Sequence, residues 1–256
     1  MSNILQYSVL RYSPSIVSGE SINLGVLVTS SDYTEFFYTK RFSRVHEFDD
    51  TLDIETVRIL LSSIADEVKG DLTTTNTPFD ITSFIRYYCK EYCFSPVISV
   101  PYDDLTKKVS DIRRIYLQFD YEKSQRPTNK EALDFLKTIL VSQGQRVSSN
   151  KNATGGFHEP VRFDMTFGNY GIKFFRFGST TELKRIMNDI KAWAWNCEHY
   201  ALIKPIIVYS TDIGSDNVEG NALLQTALEI LKSATNNVWA IDETAEHFPN
   251  LQQSTK

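Results

Sequence analysis

The stretch Val161-Arg162-Phe163-Asp164-Met165-Thr166-Phe167-Gly168-Asn169-Tyr170-Gly171-Ile172-Lys173-Phe174-Phe175-Arg176-Phe177 decides how the second half of the chain is read. Val161, Phe163, Met165 and Phe167 recur at every second position, the period of a half-buried strand. Asn169-Tyr170-Gly171 reads as a turn, and 172–177 returns as the second arm of a β-hairpin. On the N-terminal side, 129–142 carries Leu133, Phe135, Leu136, Ile139 and Leu140 at helical spacing, with Gly144 as a stop. Between them 148–156 is polar and glycine-bearing and is predicted to be a loop. Beyond the hairpin follow a helix over 180–200, a strand over 203–209, a helix over 218–233, a strand over 238–241 and a last turn over 243–248. That order predicts a sheet with helices packed on it.

The first half is patterned differently. Strands are expected over 4–12, 21–29 and 35–42, forming an antiparallel meander. Ile54, Val57, Leu60, Leu61, Ile64 and Val68 mark an amphipathic helix over 53–69. A second helix is expected over 80–94, a strand over 95–102 and a closing helix over 104–118. Residues 1–124 hold 13 Lys and Arg against 18 Asp and Glu, a balance of −5, while 125–256 hold 14 against 14. The charge shift coincides with the polar, proline-bearing stretch Ser124-Gln125-Arg126-Pro127-Thr128-Asn129. The expected fold class is therefore α+β: two domains, 1–124 and 125–256, each a small, mostly antiparallel sheet with packed helices.

With 41% hydrophobic residues, including 16 Phe and 13 Tyr, the 256-residue chain has enough apolar surface to fold. The net charge of −5 argues against a generally basic, nucleic-acid-coating protein. No apolar run approaches the roughly 20 residues of a membrane span. Residues 1–7 lack the basic start and apolar core of a signal peptide, and three cysteines do not make a disulfide framework; the expected location is the cytoplasm.

Tyr7-Ser8-Val9-Leu10-Arg11-Tyr12, followed by Gly19-Glu20-Ser21-Ile22-Asn23-Leu24-Gly25-Val26, resembles the opening signature of a bacterial family of unknown function, numbered three-zero-three-seven. The match is close over 4–28, looser through 124, and does not extend to the second half. The resemblance supplies no catalytic residues. It implies a setting, that of accessory proteins of mobile or defence-type loci. Read from chemistry alone, Arg11, Glu20 and Asn23 either staple the first hairpin through a charge-assisted contact or form a ligand site. Gly25 within a strand points to a bulge or a close backbone approach.

Catalytic patterns are incomplete. His46, His158, His199 and His247 fall in separate elements, and Cys89 with Cys93 plus Cys197 with His199 do not make zinc-ligand spacing. There is no phosphate-binding glycine loop and no nucleophile elbow. The element order of the second half resembles a degenerate restriction-endonuclease-like core. In such a core an Asp on one hairpin strand and a Glu-x-Lys on the next hold a metal. Asp164 and Lys173 occupy two of those places, but Gly171-Ile172-Lys173 lacks the carboxylate, which Glu159 or Glu182 would have to supply from outside the strand. Asp164 and Lys173 otherwise form a cross-strand ion pair. Residues 162–191 include Arg162, Lys173, Arg176, Lys184, Arg185 and Lys191 with Phe174, Phe175 and Phe177 interleaved, a candidate nucleic-acid surface or, alternatively, core rings with solvated charges. Trp193 and Trp195 lie two apart on one helix, so one belongs to the core and the other, taken as Trp195, to a contact surface.

The expected function is a non-enzymatic, protein-binding accessory or inhibitor protein of a phage, mobile-element or antiphage-defence setting. The alternative is a metal-dependent nuclease or nucleic-acid-binding protein using Asp164, Lys173 and Glu159. Binding residues are expected among Arg11, Glu20, Asn23, Arg162, Arg176, Lys184, Arg185 and Trp195. No cofactor or metal is expected. The expected partner is a protein, with nucleic acid and a second copy of the chain as further candidates, and no membrane.

Overall fold

A computed structural model describes residues 3–14, 20–74, 79–154, 160–200, 203–213 and 217–253. The class is α+β, with two five-stranded sheets and packed helices. The chain divides into two compact units, Met1–Pro127 and Thr128–Lys256.

In the first unit β1 (Asn3–Tyr12), β2 (Ile22–Thr29) and β3 (Thr34–Tyr38) form an antiparallel meander in the order β3-β2-β1. The far side of β1 is shared by β4 (Tyr92–Phe94), beside residues 10–12, and β5 (Ile98–Tyr102), beside residues 3–7. Ser95-Pro96 separates the two. The Ser95 hydroxyl accepts the Val9 N–H at 3.0 Å while the Ser8 hydroxyl donates to the Ser95 carbonyl at 2.6 Å, so buried polar groups stay paired across the break. The β1–β2 register slips between Leu10↔Gly25 and Arg11↔Asn23, which makes Leu24 a bulge residue. A Cβ on Gly25 would run into the Phe36 ring and lie 2.9 Å from the Phe37 carbonyl oxygen; the position tolerates hydrogen only.

The helix α1 (Phe42–Phe48) replaces the end of the third predicted strand, because β3 stops where Asp120 accepts from the Thr39 hydroxyl and the Lys40 N–H. α2 (Ile54–Thr74) lays Val57, Leu61, Ile64 and Val68 on Leu10, Ile22, Leu24 and Phe36. The helix predicted over 80–94 is only α3 (Ile81–Ile85), capped by Asp80. Lys90 then adopts a positive φ of 74°, and 92–94 is drawn into β4. Aromatic packing of Phe94 against Phe84 and Tyr88 outweighs the helical spacing there. α4 (Leu105–Tyr116) buries Val109, Ile112, Ile115 and Tyr116. It packs on the side of the sheet opposite α2, where Tyr116 meets Tyr7 ring to ring at 5.5 Å.

The second unit starts with α5 (Asn129–Ser142), opened by a capping box between Thr128 and Glu131. The predicted loop over 148–156 is instead largely strand: β6 (Val147–Thr154) pairs with β7 (Pro160–Phe167). It is an edge strand, and a polar edge sequence shows no apolar alternation. β7 and β8 (Tyr170–Phe177) form the predicted hairpin, turning at Gly168-Asn169 rather than over 169–171. α6 (Thr180–Tyr200) crosses over to β9 (Lys204–Thr211), and α7 (Val218–Ala234) to β10 (Val238–Ala240). Such crossovers make β8–β9 and β9–β10 parallel, so this sheet, β10-β9-β8-β7-β6, is mixed. The predicted last turn is the first part of a full helix, α8 (Ile241–Gln253). Phe175 and Phe177 face α6 and α7, whereas Phe167 meets Phe248 of α8 on the other face.

Candidate functional site

A half-open groove of about 590 Å³ runs along the free edge of β3 in the first unit. Its floor is Glu35, Phe36, Phe37 and Tyr38. One wall is α2, through Ser62, Ala65, Asp66 and Lys69. The other is the end of α4 and the turn after it, through Arg113, Leu117, Asp120 and Tyr121. The two walls exist because Phe36 points to α2 while Phe37 points to α4, as alternate strand residues must.

The charges in the groove are unequally occupied. Glu35 accepts from the Tyr33 hydroxyl at 2.6 Å; burial, then that carboxylate, push the phenol up, so it stays a donor at neutral pH. Asp120 accepts from the Thr39 hydroxyl at 2.7 Å and the Lys40 N–H at 3.0 Å. Lys40 lies over the Tyr38 ring at 3.6 Å. Arg113 stacks its guanidinium on Phe37 at 4.1 Å, and its Nε is buried without a hydrogen-bond partner. A guanidinium donor buried without an acceptor is costly.

Sequence reasoning missed this groove because its residues come from β3, α2, α4 and the turn after α4. The signal it offered was Arg113 four residues after Val109, which places a cation at the border of the apolar stripe of α4.

The predicted site residues are placed as follows. Arg11 Nε donates to Asn23 Oδ1 at 3.0 Å, and Asn23 Nδ2 donates to the Tyr116 carbonyl at 3.3 Å. Glu20 is exposed ahead of β2. In the second unit Arg176 pairs with Asp212 at 2.9 Å, where the aspartate side chain is only 9% exposed, and Lys184 pairs with Glu219 at 2.6 Å. Arg162 and Arg185 are exposed. Phe174, Phe175 and Phe177 are buried, which withdraws their faces from base stacking. Trp193 is half-buried against Phe163 and Phe175, whereas Trp195 is 43% exposed.

Asp164 and Lys173 do come together, at 3.6 Å, half-buried. They sit just past the last β7–β8 pair, Met165↔Ile172, where the Asp164 carboxylate accepts the Phe174 N–H at 2.9 Å. Glu159 lies outside the described residues. Among the described residues no three acidic, His or Cys side chains converge on a metal-sized site. At Gly171, the place of the absent carboxylate, a Cβ would approach the Phe163 ring to 2.5 Å, so the first side-chain atom of a Glu does not fit.

The thiols differ in environment. Cys89 is exposed, Cys93 half-buried and Cys197 buried. Burial pushes the Cys197 thiol up to about 12 and raises Cys93, with the neighbouring Cys89 adding to the latter. A thiol-reactive dye at pH 8 is expected to label Cys89 first, Cys93 more slowly and Cys197 only after denaturant is added. Labelling of native Cys197 at the Cys89 rate, followed by peptide mass mapping, is the result that contradicts this picture.

No described helix is long and apolar enough to cross a membrane. No curated protein and no solved structure matches the chain. Residues 7–90, from within β1 to just beyond α3 and including the floor and α2 wall of the groove but not Arg113, match the model of a family described as protein of unknown function (DUF3037).

Proposed function

We propose that this chain is a non-enzymatic accessory or inhibitor protein that binds a protein partner, in a phage, mobile-element or antiphage-defence setting. The observation that carries this reading is the β3 groove: a strand edge between two helical walls, one of them lined by the Arg113 guanidinium. Open strand edges and desolvated arginines are what protein partners engage. The family match is to a group of unknown function, and so it supplies neither a reaction nor a setting.

The second unit supports the same reading. Its order α5-β6-β7-β8-α6-β9, with β8 and β9 parallel, suits a degenerate restriction-endonuclease-like core. The place of the missing acid is filled by Phe163 packed over Gly171. A Mg²⁺-dependent nuclease needs at least two converging acidic groups, which Asp164 alone does not supply.

The test is capture from host cells with tagged wild type and Arg113→Glu, identified by mass spectrometry. At least one protein is expected with wild type and to fall about tenfold with the variant, the scale of one charge-assisted contact. Equal recovery with both overturns the groove as the binding site. In parallel, wild type and Asp164→Ala are expected to leave single- and double-stranded DNA and RNA equally intact in Mg²⁺. Cleavage that Asp164→Ala abolishes overturns the non-enzymatic assignment.

A further inference from the structure

The backbone of β3 specifies what enters the groove. The Thr39 N–H donates to the Leu24 carbonyl at 2.8 Å, and the Tyr33 carbonyl accepts the Ser30 N–H at 2.7 Å. In an antiparallel ladder the bonded residues alternate. The register Glu35↔Val28 and Phe37↔Val26 therefore assigns Tyr33, Glu35, Phe37 and Thr39 to β2. Thr34, Phe36, Tyr38 and Lys40 then turn their N–H and C=O groups outward, away from β2. Lys40 bears this out, since its N–H is taken by Asp120. Among the described residues no strand pairs with the outer edge of β3.

We propose that this edge receives an extended segment of a partner protein as an added strand, and that an acidic side chain of the segment meets Arg113. The proposal rests on the protein-binding reading above and names the chemistry of the partner. Three observations select this occupant. The outward donors and acceptors of Thr34, Phe36 and Tyr38 match an extended backbone, which presents the same groups at every second residue. The five residues of β3 span about 17 Å, the length of one short strand. The ionic chemistry favours an acid: Glu35 and Asp120 already accept hydrogen bonds, whereas the Arg113 guanidinium lines the groove stacked on Phe37 and is held in no ion pair among the described residues. A carboxylate is the acceptor that a guanidinium holds best.

The walls exclude the other obvious occupant. Natural sheet edges are protected from one another by charges, prolines, bulges or covering elements. Here α2 and the end of α4 stand on either side of the edge. A second copy of the chain would bring its own two walls to the same place, whereas a single strand brings none.

The test uses the full chain and a displayed library of random seven-residue peptides. Tyr38→Pro removes one outward N–H and leaves the Phe37 and Thr39 bonds to β2, the arrangement in which an edge strand tolerates proline. Tyr38→Ala removes the same ring but keeps the N–H. Arg113→Glu reverses the charge, and thermal unfolding confirms that all variants remain folded. Peptides selected on wild type are expected to alternate β-branched residues and to carry one Asp or Glu. Their affinity is expected to fall roughly tenfold or more in Tyr38→Pro and to change little in Tyr38→Ala. In Arg113→Glu it is expected to fall by a similar factor and to return when the peptide acid is changed to Lys.

Failure of the library to enrich any sequence overturns the proposal, as does equal binding to wild type and Tyr38→Pro. A concentration-dependent dimer that Tyr38→Pro dissolves in sedimentation overturns it too, by putting a second copy at the edge. A cellular partner retained by Tyr38→Pro but lost with Arg113→Glu overturns strand addition and leaves protein binding standing. Loss of neither partner nor affinity in Arg113→Glu overturns the groove as the binding site and leaves protein binding standing.

Discussion

Phe177→Ala is expected to destabilise the Thr128–Lys256 unit by about 3–5 kcal/mol, the usual cost of emptying a large aromatic site in a core. Phe177 is fully buried at the end of β8. Its ring stacks on Phe175 with centroids 6.3 Å apart and leans on Tyr209 of β9 at 5.9 Å. It belongs to the cluster in which Leu183 and Ile190 of α6 and Leu224, Leu228 and Leu231 of α7 meet the sheet. Truncation therefore opens a cavity shared by the sheet and both crossover helices, which close-packed neighbours fill only in part. Because a chain of two units need not unfold in one step, the measurement is hydrogen exchange read peptide by peptide. Protection is expected to drop along β8, β9, α6 and α7. Unchanged exchange in those elements would show that Phe177 does not carry their packing.

Gly25→Ala is expected to cost about 1–3 kcal/mol in the Met1–Pro127 unit, and Gly25→Val more, through overpacking. Only a hydrogen fits between β2 and the Phe36 ring, and the Phe37 carbonyl blocks the alternative side. Phe36 cannot retreat freely, since it also contacts Tyr38 and Phe94. Loss of stability should appear as increased exchange in β2 and β3. The double variant Gly25→Ala with Phe36→Leu is expected to recover part of the loss, because the shorter side chain yields space where the ring does not. A Gly25→Ala protein as stable as wild type, with no change in β3 exchange, would contradict the close approach. The same variant also probes the groove floor, because Phe36 is part of it.

The local devices of this chain are legible residue by residue. The alternation of Val161, Phe163, Met165 and Phe167 announces β7, and the spacing of Val57, Leu61, Ile64 and Val68 announces α2. Thr128 with Glu131 opens α5 at the predicted position. Gly25 is recognisable as a site of close approach because a strand otherwise has little use for glycine. Where the reading departs from the structure, a distant partner intervenes. Val147–Thr154 has no apolar period, yet it becomes β6 because β7 offers it a ladder. Tyr92–Phe94 leaves a helical pattern because Leu10, Arg11 and Tyr12 of β1 accept it as a strand.

The sites separate in the same way. Asp164 and Lys173 are readable as neighbours because a tight hairpin sets their register within ten residues. The Phe163 ring over Gly171, which leaves no room there for a side chain, is a contact between facing strands and has no sequence mark. The groove is further out of reach: Glu35, Lys69, Arg113 and Asp120 span 86 positions (120 − 35 + 1) and share no motif. By itself, then, the sequence determined the α+β class and most of its elements, because periodicity and capping act over one or two turns of chain. Tertiary structure alone decided which strand edge stays unpaired among the described residues, which arginine has its Nε buried beside it and which glycine lies under an aromatic ring. Those depend on contacts between residues that only the folded packing brings within a few ångströms.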